Sequence, residues 1–335
     1  MPSFNRSTTG KEVVTAFPSS VAGKTCPSHS SIGAEIALSL AHGSPSHIIL
    51  LGRSSARIAP VIVAIAAIDP SIRTSLVLVD LASQSSVRSA AAQIKDDASI
   101  GQIDAVINCA GIMARPGFEV TEESIEAQFG SNHIGHFLLT NLVLGKVLQA
   151  GESEGGTARV VNVSSTGFEL GPVRFEDWNF KVCIPFHYPT SAGEGKEYHA
   201  WLAYAQSKTA NVLFTAALAE KLKSKGVQSF ALQPGLIMES NLGKHVTPES
   251  WQSALTIANE TSGGKEIKME EPKTLQQGAS TALVAALDPS IAEFSGGFLQ
   301  DCVLRPVEQA YAKGKENADK LWALSEKLVG EKFDL

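Results

Sequence analysis

The chain has 335 residues, 44% of them hydrophobic and 19% charged, which is enough apolar content to bury a substantial core. Its formal net charge of −6 argues against general binding to nucleic-acid phosphates or acidic lipid surfaces, so no nucleic-acid partner is expected. No apolar run approaches the roughly 20 residues that a membrane-spanning helix needs, and the polar start lacks a secretory-signal pattern. We therefore expect a cytoplasmic protein without a transmembrane segment. The cysteines are far apart and form no ligand-spaced cluster with histidine, so we expect free thiols and no metal site.

From residue 32 onward, short apolar runs alternate with segments of helical period, as in successive βαβ units. The predicted strands are 47–51, 76–79, 105–108, 159–163, 228–232 and 298–302. The predicted helices are 32–42, 55–68, 83–94, 131–149, 203–224, 272–286 and 306–329. Right-handed crossovers then give an α/β fold, a Rossmann-like doubly wound parallel sheet in a single domain. Two stretches, 167–199 and 239–268, are expected to be irregular.

The first strand of this sheet is expected to be degenerate. The residues at its position, Val21-Ala-Gly-Lys-Thr25, include one strong strand former, whereas a central buried strand normally has an apolar run of about five. The upstream segment 12–17 could supply a replacement strand, although its charge and spacing also suit a short helix. We expect residues 1–20 to form an N-terminal arm, residues 21–304 the main domain and residues 305–335 a helical extension.

The strongest local signal is Tyr204-Ala-Gln-Ser-Lys208, which puts a phenol and an ammonium on one face of a helix. A nearby cation favours the phenolate, so this pair can take part in general acid/base chemistry. Taken alone, the pair could equally be an ordinary surface pair. The strand 159–163 ends in Ser164-Ser165, however, and its end should lie beside the start of the Tyr204 helix. A hydroxyl there can hydrogen-bond a substrate carbonyl oxygen.

With Asn132 early in a helix, the residues Asn132, Ser165, Tyr204 and Lys208 occur in the order of a known pattern. Through them the chain resembles the short-chain dehydrogenase/reductase family over roughly residues 21–304. The resemblance implies an NAD(P)-binding oxidoreductase that transfers hydride at a carbonyl or alcohol carbon. It also implies that Tyr204 moves the proton, Ser165 positions the carbonyl, Lys208 holds the nicotinamide ribose and tunes Tyr204, and Asn132 anchors a proton-relay water.

The family's glycine-rich turn, which lets backbone amides approach the pyrophosphate, corresponds to residues 25–33 here. Cys26 and Ser31 stand where the family has glycine, and only Gly33 remains clearly. Two explanations stay open: serine hydroxyls at positions 28, 30 and 31 replace the lost contacts, or the turn is shortened and cofactor binding is impaired. A catalytically silent member with a binding or regulatory role is therefore the alternative to an enzyme.

Arg53 follows the second strand and resembles the family's 2′-phosphate-binding residue, so NADP(H) is expected in preference to NAD(H). Pro234-Gly235 looks like the turn beneath the nicotinamide, with Ser240 as a further contact. The expected cofactor-binding residues are Ser28, Ser31, Ile32, Gly33, Arg53, Asp80, Leu81, Asn108, Ala110, Gly111, Tyr204, Lys208, Pro234, Gly235 and Ile237.

The interval between Ser165 and Tyr204 is long for the family, and with Val173-Arg-Phe-Glu-Asp-Trp178 it resembles the retinol-dehydrogenase-like and fungal branch. This implies a small lipophilic alcohol, aldehyde or ketone as substrate. The aromatics of the interval predict a hydrophobic substrate wall or, equally, a local subcore: Phe168, Phe175, Trp178, Phe180, Phe186 and Tyr188. The last helix is expected to be amphipathic and to cover the substrate mouth. Both a homo-oligomer and a monomer stay open.

Overall fold

All six strands predicted from the alternating pattern are present. In the computed structural model, which describes residues 3–21, 25–28, 31–153, 156–181, 198–261 and 269–335, the strands are Thr25–Ser28 (β1), His47–Gly52 (β2), Arg73–Leu78 (β3), Ala105–Asn108 (β4), Ala158–Val163 (β5), Val227–Gln233 (β6), Phe298–Gln300 (β7) and Val303–Arg305 (β8). Parallel ladders join β1, β2 and β3, and a second set joins β4, β5, β6 and β7. The order matches a doubly wound sheet, with β1 lying beside β4.

The two ends of the sheet differ in detail from the prediction. The first strand is present but short, and its four residues pair with the start of β2 from Thr25↔His47 to Ser28↔Leu50. Among the described residues no hydrogen-bonded ladder connects β1 to β4. The predicted last strand stops at Gln300, because Asp301 and Cys302 turn with φ of 52° and 67°, and β8 then returns antiparallel to β7.

The helices of the described residues alternate with the strands as expected. They are Gly10–Ala16 (α1), Pro18–Val21 (α2), Ser31–Ala41 (α3), Ser55–Ile68 (α4), Gln84–Asp96 (α5), Ala127–Phe129 (α6), Gly135–Glu152 (α7), Ala200–Lys221 (α8), Pro248–Thr261 (α9), Leu275–Leu287 (α10) and Lys315–Val329 (α11). Helix α9 corrects the prediction that residues 239–268 are irregular throughout. A search of the described helices finds none with the length and apolar character needed to cross a bilayer.

The segment proposed as a replacement strand is helix α1. Its first turn is closed by a capping box, in which the Glu12 amide donates to the Thr9 hydroxyl and the Thr9 amide donates to the Glu12 carboxylate at 2.7 Å. Val13 and Val14 are fully buried, since α1 packs against α3 and α10. The replacement-strand alternative is therefore wrong, and the short-helix alternative is confirmed.

Helices cover both faces of the sheet, as a parallel sheet requires. Successive residues of β2 point to opposite sides: Ile49 belongs to the core beneath α5, α7, α8 and α11, whereas Ile48 and Leu50 belong to the core beneath α1, α3, α4 and α10. The division into arm, main domain and extension stays a prediction, although α1 and α11 each contribute side chains to one of these cores.

A π-helical turn, Gly130–Ile134, interrupts the helix between α6 and α7. Such wide turns change the direction of the side chains that follow them and are frequent at functional sites. Gly135 comes next and lies against β3's exit loop, where a Cβ atom would be 2.4 Å from the Leu81 carbonyl oxygen. The glycine therefore permits the close approach that holds the π-turn in place.

Helix α11 packs against α8, on the face of the sheet that α5 and α7 also cover, and the prediction that it covers the substrate mouth is wrong. Trp322 lies 5.0 Å from Phe137 between ring centroids. The ring of His133, which is fully buried, lies 2.8 Å from the Ser325 hydroxyl through Nε2, so this histidine packs in the core. Burial lowers the pKa of His133 to about 3.

Leu321 is 1% exposed at the centre of the α11 contact, whereas the neighbouring Lys320 side chain is 54% exposed. We expect Leu321→Ala to lower the free energy of unfolding by about 3 kcal/mol through lost burial and a residual cavity. Lys320→Ala should lower it by less than about 1 kcal/mol. Urea denaturation followed by circular dichroism measures both. Equal losses would contradict the packing described for α11.

Candidate active site

The carboxyl ends of β4, β5 and β6 open into a cavity of about 1160 Å³. Ligands of doubly wound sheets bind at this edge. The volume exceeds the roughly 300–1,000 Å³ of ordinary ligand pockets, so there is room for more than one small molecule. The predicted residues that line it are Ile32, Gly111, Ser165, Tyr204, Lys208, Pro234, Gly235, Ile237 and Ser240.

Strand β5 and helix α8 bring Ser165 and Tyr204 together. Ser165 follows the strand and caps the 3₁₀ helix Thr166–Leu170, because its Oγ accepts a hydrogen bond from the Gly167 amide at 3.0 Å. The same hydroxyl shares a hydrogen bond with the Tyr204 phenol. Gly167 lies beneath the tyrosine ring, where a Cβ atom would be 2.8 Å from Tyr204 Cε1. The two hydroxyls therefore face one point in the cavity.

Lys208 lies one helical turn after Tyr204, with Nζ 5.6 Å from the centre of the Tyr204 ring. Its ammonium donates to the Val163 carbonyl oxygen at 3.0 Å. Burial lowers the pKa of Lys208 to about 8, and the nearby Cys109 thiol opposes that change. Burial also raises the pKa of Tyr204 to about 12, against the effect of the Ser165 hydrogen bond. The expected lowering of the Tyr204 pKa by Lys208 is therefore not found in this structure, where burial is the largest cause of the change.

Asn132 lies in the π-turn, and hydrogen bonds to the Ile112 backbone and the Ser207 hydroxyl hold its side chain. Its Oδ1 accepts from the Ile112 amide at 2.8 Å, and its Nδ2 donates to the Ile112 carbonyl at 2.8 Å and to Ser207 Oγ at 2.9 Å. Gly111 borders both this amide and the lysine, since a Cβ atom there would be 3.0 Å from Asn132 Oδ1 and 3.7 Å from Lys208 Nζ. Asn132 therefore sits behind the cavity wall, adjacent to Lys208.

The remaining predicted cofactor residues are outside the described lining of the cavity. Ser31 and Gly33 are in the first turn of α3, Arg53 is exposed directly after β2, and Asp80 and Leu81 follow β3. Ala110 is half-buried beside Gly111. For Ser28 the backbone is described and the side chain lies outside the described residues.

Among the predicted cofactor-binding residues, Asn108 forms its described hydrogen bonds within the protein interior. Its Nδ2 donates to Thr140 Oγ1 and to Asn162 Oδ1, both at 2.9 Å, and it is buried. The side chain therefore joins β4 to β5 and α7 and supports the sheet.

The aromatics predicted as a substrate wall pack in the interior where they are described. Phe168 contacts Phe298 at 5.2 Å between ring centroids, and Phe180 lies under the Arg174 guanidinium at 4.5 Å. Phe175 and Trp178 pack against the core beneath α7 and α8. The subcore alternative is therefore correct for these four. Phe186 and Tyr188 lie outside the described residues.

A different apolar wall lines the cavity, and sequence reasoning missed it. Trp201 and Trp251 meet with ring centroids 4.9 Å apart, and Trp201 is 6.0 Å from the Tyr204 ring. We call this the apolar wall, and its members are Met113, Leu170, Trp201, Leu242, Val246, Trp251 and Ala254. Trp201 could have been found because it precedes Tyr204 by one helical turn. Trp251 could not, because its helix α9 was expected to be irregular.

Among the described residues, no group of three or more His, Cys, Asp or Glu side chains could hold a metal ion. The arrangement suits proton transfer. A protonated phenol and a hydroxyl face the cavity, and a buried amine with a pKa of about 8 lies behind them.

Comparisons with known proteins identify the family. Residues 28–175 match the family model of the short chain dehydrogenases. An oxidoreductase of Fusarium equiseti is 34% identical over 250 residues, covering 69% of this chain and 94% of the relative. Human retinol dehydrogenase 13 is 35% identical over 251 residues, covering 75% of this chain and 67% of the relative.

A solved structure extends this likeness to nearly the whole chain. A crystal structure of a protein from Mycobacterium paratuberculosis has a TM-score of 0.66 at 28% sequence identity and covers 96% of this chain and 98% of that one. The chain therefore belongs to the short-chain dehydrogenase/reductase family as a retinol-dehydrogenase-like member, and it is an NAD(P)-dependent dehydrogenase/reductase that acts on CH–OH groups.

Proposed function

We propose that this protein is an NADP(H)-dependent oxidoreductase that interconverts a lipophilic alcohol and its aldehyde or ketone. The observation that carries the proposal is the convergence of Ser165, Tyr204 and Lys208 at a cavity that the apolar wall also lines, with Trp201 6.0 Å from the Tyr204 ring. The names of the relatives, a fungal oxidoreductase and a retinol dehydrogenase, support the same reaction class. A catalytically silent role is not favoured, because the enzyme relatives and this convergence both point to chemistry.

The cavity fits a nicotinamide dinucleotide. Lys208 has a buried ammonium and lines the cavity, as do Gly111 and Gly235; Gly235 has a φ of 100° that favours glycine. In the proposal the pyrophosphate lies at the N-terminus of α3 near Ser31, the 2′-phosphate meets Arg53, and the nicotinamide ribose meets Lys208. The cofactor supplies the hydride.

The chain's own residues supply orientation and the proton. Ser165 and Tyr204 would hydrogen-bond the substrate oxygen and so orient the reacting carbon for the hydride that the cofactor would supply. In reduction Tyr204 donates its proton to that oxygen, and in oxidation it accepts one. Lys208 stabilises the charge that develops on the phenol oxygen, and Asn132 anchors a proton-relay water. A cytoplasmic location and a small-molecule partner complete the proposal.

Tyr204→Phe removes the proton donor while keeping the ring. We expect kcat/KM for reduction of lipophilic aldehydes with NADPH to fall by roughly 10²- to 10⁴-fold, with NADPH affinity within about threefold of the wild type. The loss of NADPH absorbance measures turnover, and fluorescence titration measures affinity. Tyr198→Phe is the matched control, because the Tyr198 hydroxyl donates to the Arg115 carbonyl away from the cavity lining. Full turnover by Tyr204→Phe would eliminate the mechanism.

Arg53→Ala tests the cofactor preference. If the guanidinium binds the 2′-phosphate, NADPH affinity should fall roughly tenfold to a hundredfold, since a hydrogen bond to a charged group contributes about 1.5–3 kcal/mol. NADH lacks that phosphate and is the internal control, so its affinity should stay within about twofold. Comparable losses for both dinucleotides would count against the assignment of Arg53.

The pH dependence of reduction follows from Lys208. With its pKa at about 8 and that of Tyr204 at about 12, the pair is ammonium and phenol below pH 8. We expect kcat/KM for carbonyl reduction to be level below that pH and to decline as the pH rises through it, because Lys208 then loses its proton. Lys208→Arg keeps the charge and should move the decline to higher pH. An unchanged profile in this variant would show that another group titrates.

A further inference from the structure

A second side of the cavity carries polar side chains that the proposed mechanism does not use. We call it the polar wall, and its members are Glu169, Gln233, Glu270, Gln300 and Arg305. They come from separate parts of the chain: the 3₁₀ helix after Ser165, the ends of β6, β7 and β8, and the segment before α10. Gln233 and Gln300 are partners in the parallel register of β6 and β7, which puts their side chains on one face.

Direct contacts join these side chains into one continuous chain. Gln233 Nε2 donates to both Glu270 carboxylate oxygens at 2.7 Å, and Gln300 Nε2 donates to Glu270 Oε1 at 3.4 Å. Arg305 Nη1 donates to Gln300 Oε1 at 2.8 Å, and Arg305 Nη2 forms an ion pair with Glu169 Oε1 at 2.6 Å. Each side chain is thus fixed in direction by its neighbour, as a recognition surface requires.

The Glu169–Arg305 pair is open to the cavity. Both residues line it, and their side chains are 25% and 33% exposed. The guanidinium has five N–H donors, of which the bonds to Gln300 and Glu169 use two among the described residues. Glu169 lies four residues after Ser165, which caps the 3₁₀ helix, so at about 2 Å per residue its backbone is on the order of 8 Å along the helix from the backbone of Ser165.

The charge of this part of the cavity restricts what the pair can bind. Glu169 and Arg305 neutralise each other, and Asp301 is paired with Lys273 at 2.5 Å. Glu270 and Glu308 add carboxylates to the described lining, whereas Lys244 adds a cation. A carboxylate group on the substrate would meet like charge here. A neutral carbonyl or hydroxyl oxygen could instead accept a hydrogen bond from Arg305, and a hydroxyl could also donate one to Glu169.

We infer that Arg305 and Glu169 are specificity-determining residues that read a second, neutral oxygen group on the substrate. The substrate class is then a lipophilic alcohol or carbonyl compound with a hydroxyl or keto group about 8 Å from its reacting carbon. Its hydrocarbon body lies against the apolar wall, and its distal oxygen meets the polar wall. This inference rests on the proposed function and narrows its substrate.

Three matched aldehydes test the inference: 2-naphthaldehyde, its derivative with a hydroxyl at carbon 6 of the distal ring, and the corresponding 6-carboxylate. The wild type should reduce the hydroxylated compound with a kcat/KM roughly tenfold above that of the parent, because a site that hydrogen-bonds a hydroxyl discriminates against its absence. The carboxylate should be the poorest of the three. Arg305→Met should bring the hydroxyl-to-parent ratio to about one while the parent keeps most of its turnover.

The controls separate recognition from folding and from catalysis. Arg88→Met removes a similarly exposed arginine from its ion pair with Glu331 on the other face of the molecule and should leave the ratio unchanged. A double variant, Arg305→Met with Glu169→Gln, avoids an unpaired carboxylate and should also lose the preference. Circular dichroism checks the fold of each variant.

The same ratio is measured without turnover by quenching of tryptophan emission, since Trp201 and Trp251 line the cavity. A wild type that reduces the parent aldehyde but shows no preference for the hydroxyl, in turnover and in binding, would overturn the inference and leave the proposed function intact. An equal loss for all three compounds in Arg305→Met would also overturn it, because the pair would then only position Ser165. Hydroxyl-selective binding without reduction of any aldehyde would support recognition and refute the proposed function.

Discussion

Two reciprocal hydrogen bonds join the end of strand β5 to helix α8, and the geometry of the site depends on them. Ser164 Oγ donates to the Lys208 carbonyl at 2.8 Å, and Lys208 Nζ donates back to the Val163 carbonyl at 3.0 Å. Asn211 Nδ2 adds a third bond to the same Val163 oxygen at 3.2 Å. Because Ser165 directly follows Ser164 and Tyr204 precedes Lys208 by one turn, this joint sets the distance between the two hydroxyls that face the cavity.

Burial of this joint governs the protonation of the pair. A low-dielectric setting disfavours charge on either group, so it raises the pKa of Tyr204 and lowers that of Lys208. The phenol therefore keeps its proton at neutral pH, and the amine stays close to its own titration point. The same setting strengthens any hydrogen bond that Ser165 or Tyr204 makes to a reacting oxygen. Burial thus favours a proton donor that is ready before substrate binds.

The sequence predicted the parts of the fold and site whose signals are local or periodic. The strands between the two layers of helices are predicted because short apolar runs such as 105–108 are typical of strands buried on both faces. Tyr204 and Lys208 are predicted as a pair because helical spacing places them on one face. Helix α9 and the hairpin from β7 to β8 were missed. The hairpin depends on positive φ at Asp301 and Cys302; Asp is enriched at positive φ but Cys is not, so this pair gives only a weak signal for such a turn.

Long-range pairing explains the remaining differences. Phe168 and Phe180 looked suited to a substrate wall, since their segment is irregular and aromatic, but partners distant in the chain, such as Phe298 for Phe168, draw them into the interior. The polar wall likewise joins Glu169 to Arg305 across a large separation in sequence. No spacing rule connects such residues, because their proximity follows from strand order and not from local periodicity.

The altered glycine turn affects how an anion can bind at the start of helix α3. Anion binding at the start of a βα unit arises from free backbone amides and the helix dipole, and both persist whatever side chain occupies the first turn. Helix α3 begins at Ser31 with Gly33 buried, so this source of attraction is retained although glycines are missing at positions 26 and 31. What a Cβ atom changes there is how closely a phosphate can approach. In the function proposed here, the cofactor is therefore held to a greater extent by contacts away from the turn, at Lys208 and Arg53, than in relatives with the full glycine pattern.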